Sequence, residues 1–210
     1  MAQKDLFAAV DTELPDVGEN TTIAALREEA AHCTRCDLYK YATQMVFGEG
    51  PEDAKIVMVG EVPGDQEDLQ GRPFVGPAGK LLDRAMEEAG IERRQVYVTN
   101  AVKHFKFERR GKKRIHKTPE RTEIEACKWW LERELKVIQP ELVVALGGTA
   151  GRAVYGRAVR VMAERGTITE DARGFRLLLT VHPSMILRIP DEEGKRKAYV
   201  ELVRDLKKAA

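Results

Sequence analysis

Four short apolar runs alternate along the chain with longer segments of helical periodicity. The runs are KIVMVGE, VYVTN, ELVVALGG and FRLLLTVHP. Runs of this length suit strands that are buried on both faces, and strands that alternate with helices are typical of parallel sheets. The pattern therefore predicts an α/β fold, namely a single-domain α/β/α sandwich around a central, mostly parallel sheet of four strands.

Proline and glycine mark the ends of the predicted helices. Pro77 opens the segment PAGKLLDRAMEEAG, and Gly90 closes it. Pro119 precedes a second helical segment that continues to Ile138, and a last helix begins at about Glu192. Because proline fits the first turn of a helix and glycine fits its end, these positions predict helices between the strands.

The composition suits one core, or one core with a small appendage. With 210 residues, of which 43% are hydrophobic, the chain can bury a single sizeable core, which we expect over residues 21–210. Residues 11–20 are acidic and contain Pro15 and Gly18, so we expect residues 1–20 to be a flexible leader. No apolar run reaches membrane-spanning length and no secretory signal is apparent. We expect a cytoplasmic protein without a membrane partner, and a monomer.

Cations are concentrated in one part of the chain. The net charge of +1 excludes a globally basic nucleic-acid-binding protein, yet six of the nine residues from Arg109 to Lys117 are Lys or Arg, with His116 among them. Like charges at this density repel one another unless phosphates or carboxylates neutralise them, so nucleic acid is the natural partner. The alternative is a solvated loop with an incidental histidine.

Polar residues follow three of the predicted strands. Glu61, Asn100 and His182 stand at the ends of the first, second and fourth runs. The carboxyl ends of parallel strands meet at one edge of the sheet, where ligand sites gather in open α/β folds. We therefore expect these three side chains to share a site.

Cysteines indicate a metal centre. Cys33 and Cys36 have the Cys-x-x-Cys spacing, which supplies two ligands from one turn, and Cys127 can supply a third. His104 is the candidate for the fourth ligand. The alternatives are three free cysteines or a redox pair, and spacing alone does not separate zinc from an iron–sulfur cluster.

Four motifs together resemble the iron–sulfur branch of the uracil-DNA glycosylases. GEVPGDQED, GRPFVGPAGKLLD, VYVTNAVK and VHPS occur in the order found in that family, over a match from about Cys33 to the end of the chain. The segment GKKRIHK resembles an insertion in the UdgX subgroup, whose members link covalently to uracil-containing DNA. Members of the iron–sulfur branch outside the UdgX subgroup, here called the ordinary branch, carry cysteine where this chain has His104. The resemblance implies a 4Fe-4S cluster on Cys33, Cys36, His104 and Cys127.

The resemblance also implies a role for each residue of the predicted site. Phe74 would stack on a uracil that has rotated out of the DNA, and Asn100 would bind its polar edge. His182 would donate to a uracil oxygen as the base departs with negative charge. Glu61 would stabilise the sugar cation, and His116 would capture it at C1′.

The remaining predicted site residues surround these five. Asp65 and Val62 are predicted to lie beside the base, although Val62 stands where UdgX proteins typically have glutamine. The predicted DNA-binding residues are Lys112, Lys113, Arg114, Lys117, Ser184 and Arg188. Of these, Arg114 is expected to hold the loop of the cation run against the sheet or against a phosphate. One of Met185, Ile186 and Leu187 could fill the vacated base stack.

These inferences predict an enzyme that excises uracil from DNA and becomes linked through His116 to C1′ of the abasic site. Its partner would be uracil-containing DNA, with single strands preferred. A conventional enzyme that uses water over many turnovers is the first alternative. Two further alternatives are not glycosylases. One is a non-catalytic binder of uracil or single-stranded DNA, and the other is a redox sensor built on the cluster. Neither needs the carboxylate of Glu61.

Overall fold

The structure is a computed structural model that describes residues 14–18 and 21–210. The predicted leader, residues 1–20, lies outside the described residues except for 14–18, so its flexibility stays a prediction. Every helix and strand of the described chain falls within residues 21–210.

Five strands build the central sheet. The strands of the protein are β1 (Ile56–Gly60), β2 (Val96–Asn100), β3 (Phe107–Arg110), β4 (Lys113–His116), β5 (Leu142–Leu146), β6 (Ile168–Glu170) and β7 (Arg176–Thr180). The order in the sheet is β2-β1-β5-β7-β6, in which the first four are parallel and β6 pairs antiparallel with β7. The predicted α/β fold and its four parallel strands are confirmed. The sequence missed β6 because three residues at a sheet edge are too few to show a period.

Helices cover both faces of this sheet. They are α1 (Ile23–Ala30), α2 (Asp65–Gln70), α3 (Pro77–Ala89), α4 (Arg121–Ile138), α5 (Gly147–Tyr155), α6 (Val161–Glu164), α7 (Pro183–Leu187) and α8 (Glu192–Leu206). Residues of α1, α4 and α5 pack into one hydrophobic core, and residues of α3 and α8 pack into the other. Pro77 is the first residue of α3, and Gly90 ends it in the left-handed conformation with φ 83°, as the sequence predicts.

The register of the strands brings the predicted site residues to one edge. Gly60 at the end of β1 pairs with Asn100 at the end of β2, so Glu61 emerges beside Asn100. His182 follows β7 by two residues and caps α7. The chain passes from β1 to β2 on one side of β1 and later places β5 on the other side, so the order of the strands reverses at β1. The α/β proteins bind ligands in the crevice at such a reversal.

None of the helices in the described part of the chain combines the length and the apolar character needed to cross a membrane.

Candidate active site

A cavity of about 550 Å³ opens at the carboxyl edge of the sheet. Nine of the predicted site residues line it, namely Glu61, Val62, Asp65, Phe74, Asn100, His116, His182, Ser184 and Arg188. The other four predicted DNA-binding residues do not line the cavity, and neither do the four predicted metal ligands. The fold therefore brings residues from the four motifs and from GKKRIHK into one space.

Phe74 forms one wall of the cavity in a backbone conformation that is unusual for its type. Its φ is 57°, in the left-handed region, and its ring stacks towards His182 with centroids 6.3 Å apart. A Cβ at Gly79 would lie 1.7 Å from the Phe74 carbonyl oxygen, and a Cβ at Gly60 would lie 2.6 Å from its ring. Glycine at both positions thus lets the ring reach the sheet edge, and such strain is often found at functional sites.

Asn100 offers a free amide to the cavity. Its residue is buried, and among the described residues its side chain has no hydrogen-bond partner. A Cβ at Gly60 would lie only 2.4 Å from Asn100 Oδ1, so the amide sits directly against the end of β1. An amide both donates and accepts, and this one remains available to a ligand with a matching polar edge.

His182 has a defined tautomer. The backbone N–H of Ser184 donates to His182 Nδ1 over 3.1 Å, so Nδ1 is the unprotonated nitrogen. Burial lowers the pKa of His182 to about 4, and the charges of His116 and Arg188 add to this effect. The ring is therefore neutral at pH 7 and carries its proton on Nε2.

Ser184 and Arg188 extend this arrangement. Arg188 Nη2 donates to Ser184 Oγ over 3.1 Å, and Ser184 Oγ lies 2.8 Å from His182 Nδ1. The hydroxyl can therefore accept from the guanidinium and donate to the ring. Through Ser184, the exposed Arg188 thus connects the protein surface beside the cavity to the His182 ring that lines the cavity.

Glu61 carries an uncompensated buried oxygen. Its Oε1 is inaccessible to water and has no hydrogen-bond partner among the described residues. A buried carboxylate oxygen without a partner costs free energy, so its position calls for a cationic or hydrogen-bonding ligand. It lines the cavity close enough to His116 that its charge affects the titration of that ring.

His116 lies at the rim, at the end of β4. The residue is exposed on its outer side, but the loss of water on its cavity side lowers the pKa of His116, while the Glu61 carboxylate opposes this shift. Its ring lies 6.3 Å from that of Phe105. A neutral imidazole facing a carboxylate is a competent nucleophile at neutral pH.

The cation run forms a β-hairpin, which the apolar pattern of the sequence did not predict. Strands β3 and β4 pair antiparallel, with Arg110 opposite Lys113. Gly111 has φ 60° at the first central position of the two-residue turn, which suits glycine. Lys112 and Lys113 are exposed, whereas Lys117 lies 2.9 Å from a Glu108 carboxylate oxygen.

Arg114 anchors the hairpin instead of facing solvent. Its Nε donates to Asp65 over 2.6 Å and its Nη1 donates to Asp68 over 2.5 Å. The guanidinium also lies over the rings of Phe105 and Phe107, and the side chain is only 15% exposed. These contacts with two carboxylates tie β4 to α2, and the predicted contact of Arg114 with a phosphate stays a prediction.

Glu67 is a cavity residue that the sequence did not single out. Its carboxylate is buried, lines the cavity and accepts from the Gly76 N–H over 2.9 Å. A Cβ at Gly64 would lie 2.6 Å from Glu67 Oε2. The motif GDQED contains several acids, and only the tertiary packing shows which of them turns inward.

An exposed apolar side chain stands at the mouth of the cavity. Of the three residues that the sequence offered as wedges, Ile186 is 2% exposed and Met185 packs against the core, whereas Leu187 is 43% exposed and lines the cavity. Leu187 is thus the one of the three that is free to contact a partner.

The three cysteines lie against the same hydrophobic core, away from the cavity. Trp130 Nε1 donates to Cys33 Sγ over 3.0 Å, and the Lys103 N–H donates to Cys127 Sγ over 3.2 Å. Burial raises the pKa of the Cys127 thiol to about 12, and the charges of Cys36 and Cys33 act in the same direction.

His104, which follows Lys103 in the chain, is buried. Its ring lies near enough to Asp68 for that carboxylate to affect its pKa. Burial lowers the pKa of His104, and Asp68 opposes this. Among the described residues, no three His, Cys, Asp or Glu side chains converge closely enough to hold a single metal ion.

One protein family and several known proteins are similar in sequence to this chain. Residues 47–207 match the family described as the uracil DNA glycosylase superfamily. The chain is 39% identical over 170 residues to a type-4 uracil-DNA glycosylase of Thermotoga maritima, covering 80% of this chain and 85% of that protein. It is 33% identical over 192 residues to a type-4 uracil-DNA glycosylase of Saccharolobus solfataricus, covering 88% and 84%. A type-5 uracil-DNA glycosylase of Pyrobaculum aerophilum is 28% identical over 179 residues, covering 77% and 75%. The chain belongs to the uracil-DNA glycosylase superfamily.

Proposed function

We propose that this protein excises uracil from DNA and then becomes attached to the abasic product through His116. The observation that carries the proposal is the buried, unpartnered Glu61 Oε1 in the same cavity as His116. Breaking the glycosidic bond leaves positive charge on the sugar at C1′. A carboxylate in a water-poor cavity stabilises that charge more strongly than it would in bulk water.

The opposite side of the cavity suits the departing base. The ring of Phe74 provides a stacking face, and the free amide of Asn100 can bind a donor and an acceptor on the uracil edge. Cytosine carries an amino group in place of one uracil oxygen, so the same amide orientation would disfavour it. The Nε2–H of neutral His182 can donate to a uracil oxygen as negative charge develops.

His116 supplies the covalent step. The neutral imidazole attacks C1′ as the bond to uracil breaks, and the uracil anion leaves with the bonding electron pair. The new C1′–N bond makes the ring an imidazolium until the proton on its other nitrogen is lost. Glu61 lies on the cavity side of the ring and stabilises this positive charge. Arg114 supports the attack indirectly, because its contacts with Asp65 and Asp68 fix the strand that ends at His116.

A conventional glycosylase that uses water is the second candidate. Val62 favours it, because this buried apolar residue lines the cavity where UdgX proteins typically have a hydrogen-bonding glutamine. The type-4 relatives are named for uracil-DNA glycosylase activity without reference to covalent capture. Denaturing electrophoresis after incubation with a uracil-containing oligonucleotide separates the two. A shifted protein–DNA band supports capture, and repeated turnover without that band supports water.

We also propose that Cys33, Cys36, His104 and Cys127 hold a 4Fe-4S cluster. Three thiols share one region, and N–H groups already point at two of the sulfurs, as they do around iron–sulfur clusters. In a four-iron cluster each ligand binds a different iron, so the ligands need not converge as they would on one ion. The cluster would stabilise the fold around α1 and α4, since Cys33 follows α1 and Cys127 lies within α4. Its role would be structural, because its proposed ligands do not line the cavity.

Protein purified without oxygen is expected to be brown and to contain iron in place of zinc. Cys127→Ser should lose the iron and lower the thermal midpoint of unfolding, because a buried ligand and its metal contacts disappear. His104→Cys should keep the iron, since the ordinary branch has cysteine there, whereas His104→Ala should not. Metal analysis measures these outcomes, and a folded, colourless protein with one zinc would contradict the cluster while leaving the glycosylase proposal intact.

Affinity for DNA is expected to fall steeply with salt, because the exposed cations of the hairpin would displace counterions from phosphates. Lys112→Glu combined with Lys113→Glu should weaken binding to every sequence and reduce the salt slope by about 2. Fluorescence anisotropy at several salt concentrations measures both effects. Lys55→Glu combined with Lys195→Glu is a control with the same charge change away from the hairpin. Equal weakening by both pairs would contradict a specific role for the hairpin.

A further inference from the structure

A buried ion pair lies directly behind the wall of the cavity. Lys103 Nζ and Glu134 Oε2 are 2.5 Å apart, and both side chains are 0% exposed. The carboxylate also accepts from the Tyr97 hydroxyl over 2.8 Å and from the Gly48 N–H over 3.1 Å. Removing two charges from water is costly unless their remaining hydrogen-bonding groups are satisfied, and here several partners satisfy them.

The ammonium of Lys103 is bound to the residue that we propose reads the base. Its Nζ donates to the Asn100 carbonyl oxygen over 2.9 Å and to Thr99 Oγ1 over 2.5 Å. The main chain of Lys103 is fixed as well, because its carbonyl accepts from the Val46 N–H over 2.8 Å and its N–H donates to Cys127 Sγ. Both ends of the turn from Asn100 to Lys103 are therefore held.

The same turn holds the end of β1. The Ala101 N–H donates to the Gly60 carbonyl over 2.9 Å, and the Val102 N–H donates to the Glu61 carbonyl over 3.0 Å. The backbone that carries the proposed cation-stabilising carboxylate is thus attached to the turn that carries the proposed recognition amide. A shift of this turn would move both groups relative to the base.

We propose that Lys103 is a positioning residue for uracil recognition. Its ammonium holds the main-chain carbonyl of Asn100 and so fixes the direction of the Asn100 side-chain amide, while Glu134 holds the ammonium in place. This proposal rests on the proposed function. A displacement of catalytic or binding groups by about 1 Å can cost about 100-fold in rate, so a group that fixes this turn affects the reaction without touching the substrate.

The test compares Lys103→Met alone with Lys103→Met combined with Glu134→Gln. The single variant leaves Glu134 without its buried counter-charge, which can prevent folding. The double variant removes both charges, and its glutamine oxygen can still accept from Tyr97 and Gly48. Arg173→Met is the matched control, because it removes a cation that is 3% exposed and bound to Asp171, at the opposite edge of the sheet from the cavity.

Inhibition by free uracil is the readout that a merely structural role would not change. In the folded double variant, the inhibition constant for uracil should rise about tenfold or more, and the preference for uracil over cytosine in single-stranded oligonucleotides should fall. Arg173→Met should keep the wild-type constant even where its thermal midpoint falls equally. Iron content is measured in parallel, because Lys103 also contacts Cys127.

The experiment separates a failure of the Lys103 proposal from a failure of the proposed function. If the wild type excises uracil and the double variant keeps the wild-type inhibition constant and preference, with or without its iron, the role of Lys103 is overturned alone. If the wild type neither excises nor binds uracil, the proposed function fails and the Lys103 proposal fails with it.

Discussion

Replacing His116 by serine is expected to abolish the covalent adduct and to leave uracil excision in place. The wild type should convert uracil-containing single-stranded DNA into a species that survives denaturation. In His116→Ser no imidazole can attack C1′, so water reaches the cation that Glu61 still stabilises. The variant should release uracil over many turnovers, with free abasic DNA as its product. Denaturing electrophoresis and uracil release, followed in the same samples, measure both effects.

The pH dependence of the adduct provides an independent check on His116. The neutral ring is the nucleophile, and partial burial lowers the pKa of His116 below its ordinary value of about 6.5. Adduct formation should therefore persist as the pH falls below that value, and should be lost only as the pH passes through the lowered pKa and the ring becomes protonated. His32→Ser is the matched control, since His32 is an exposed histidine that does not line the cavity. An adduct formed by His116→Ser at the wild-type rate would show that another group is the nucleophile.

Sequence reasoning located the cavity because its residues directly follow buried strands. Glu61, Asn100 and His182 each end an apolar run, and parallel strands must bring such residues to one edge. This geometry depends on the parallel direction of the strands, which the alternation of apolar runs and helical segments indicates. The same reasoning placed the ends of α3 at Pro77 and Gly90, where local backbone chemistry decides the outcome.

Features that depend on distant contacts were not predictable in this way. The two carboxylates that bind Arg114 lie 49 and 46 residues away in the chain, so the sequence showed a cation in a basic run without showing its partners. The hairpin itself was missed because charges dominate both of its strands and hide the period of two. Gly111 between two runs of four residues was the available signal. Lys103 gave no signal at all, since a buried lysine becomes apparent only when its partner Glu134 packs against it.

Glu61→Gln is expected to cause the largest loss of uracil excision among single substitutions in the cavity, by about 100- to 1000-fold in the first-turnover rate. Glutamine keeps the shape of the side chain but removes the negative charge. In the free protein Oε1 has no hydrogen-bond partner among the described residues, so the loss of the charge falls mainly on the cationic transition state. Because excision precedes or accompanies capture, the yield of adduct at short times should fall by the same factor.

Glu67→Gln is the matched comparison, because Glu67 is a second buried carboxylate that lines the same cavity. Its carboxylate already accepts from the Gly76 N–H, and a glutamine oxygen can keep that hydrogen bond. Its substitution should therefore cost less than that of Glu61. Rapid-quench measurement of uracil release at saturating protein separates the two effects from differences in DNA affinity. Equal losses in both variants would indicate that the net negative charge of the cavity matters more than the position of Glu61, and a wild-type rate for Glu61→Gln would remove the cation-stabilising role proposed for it.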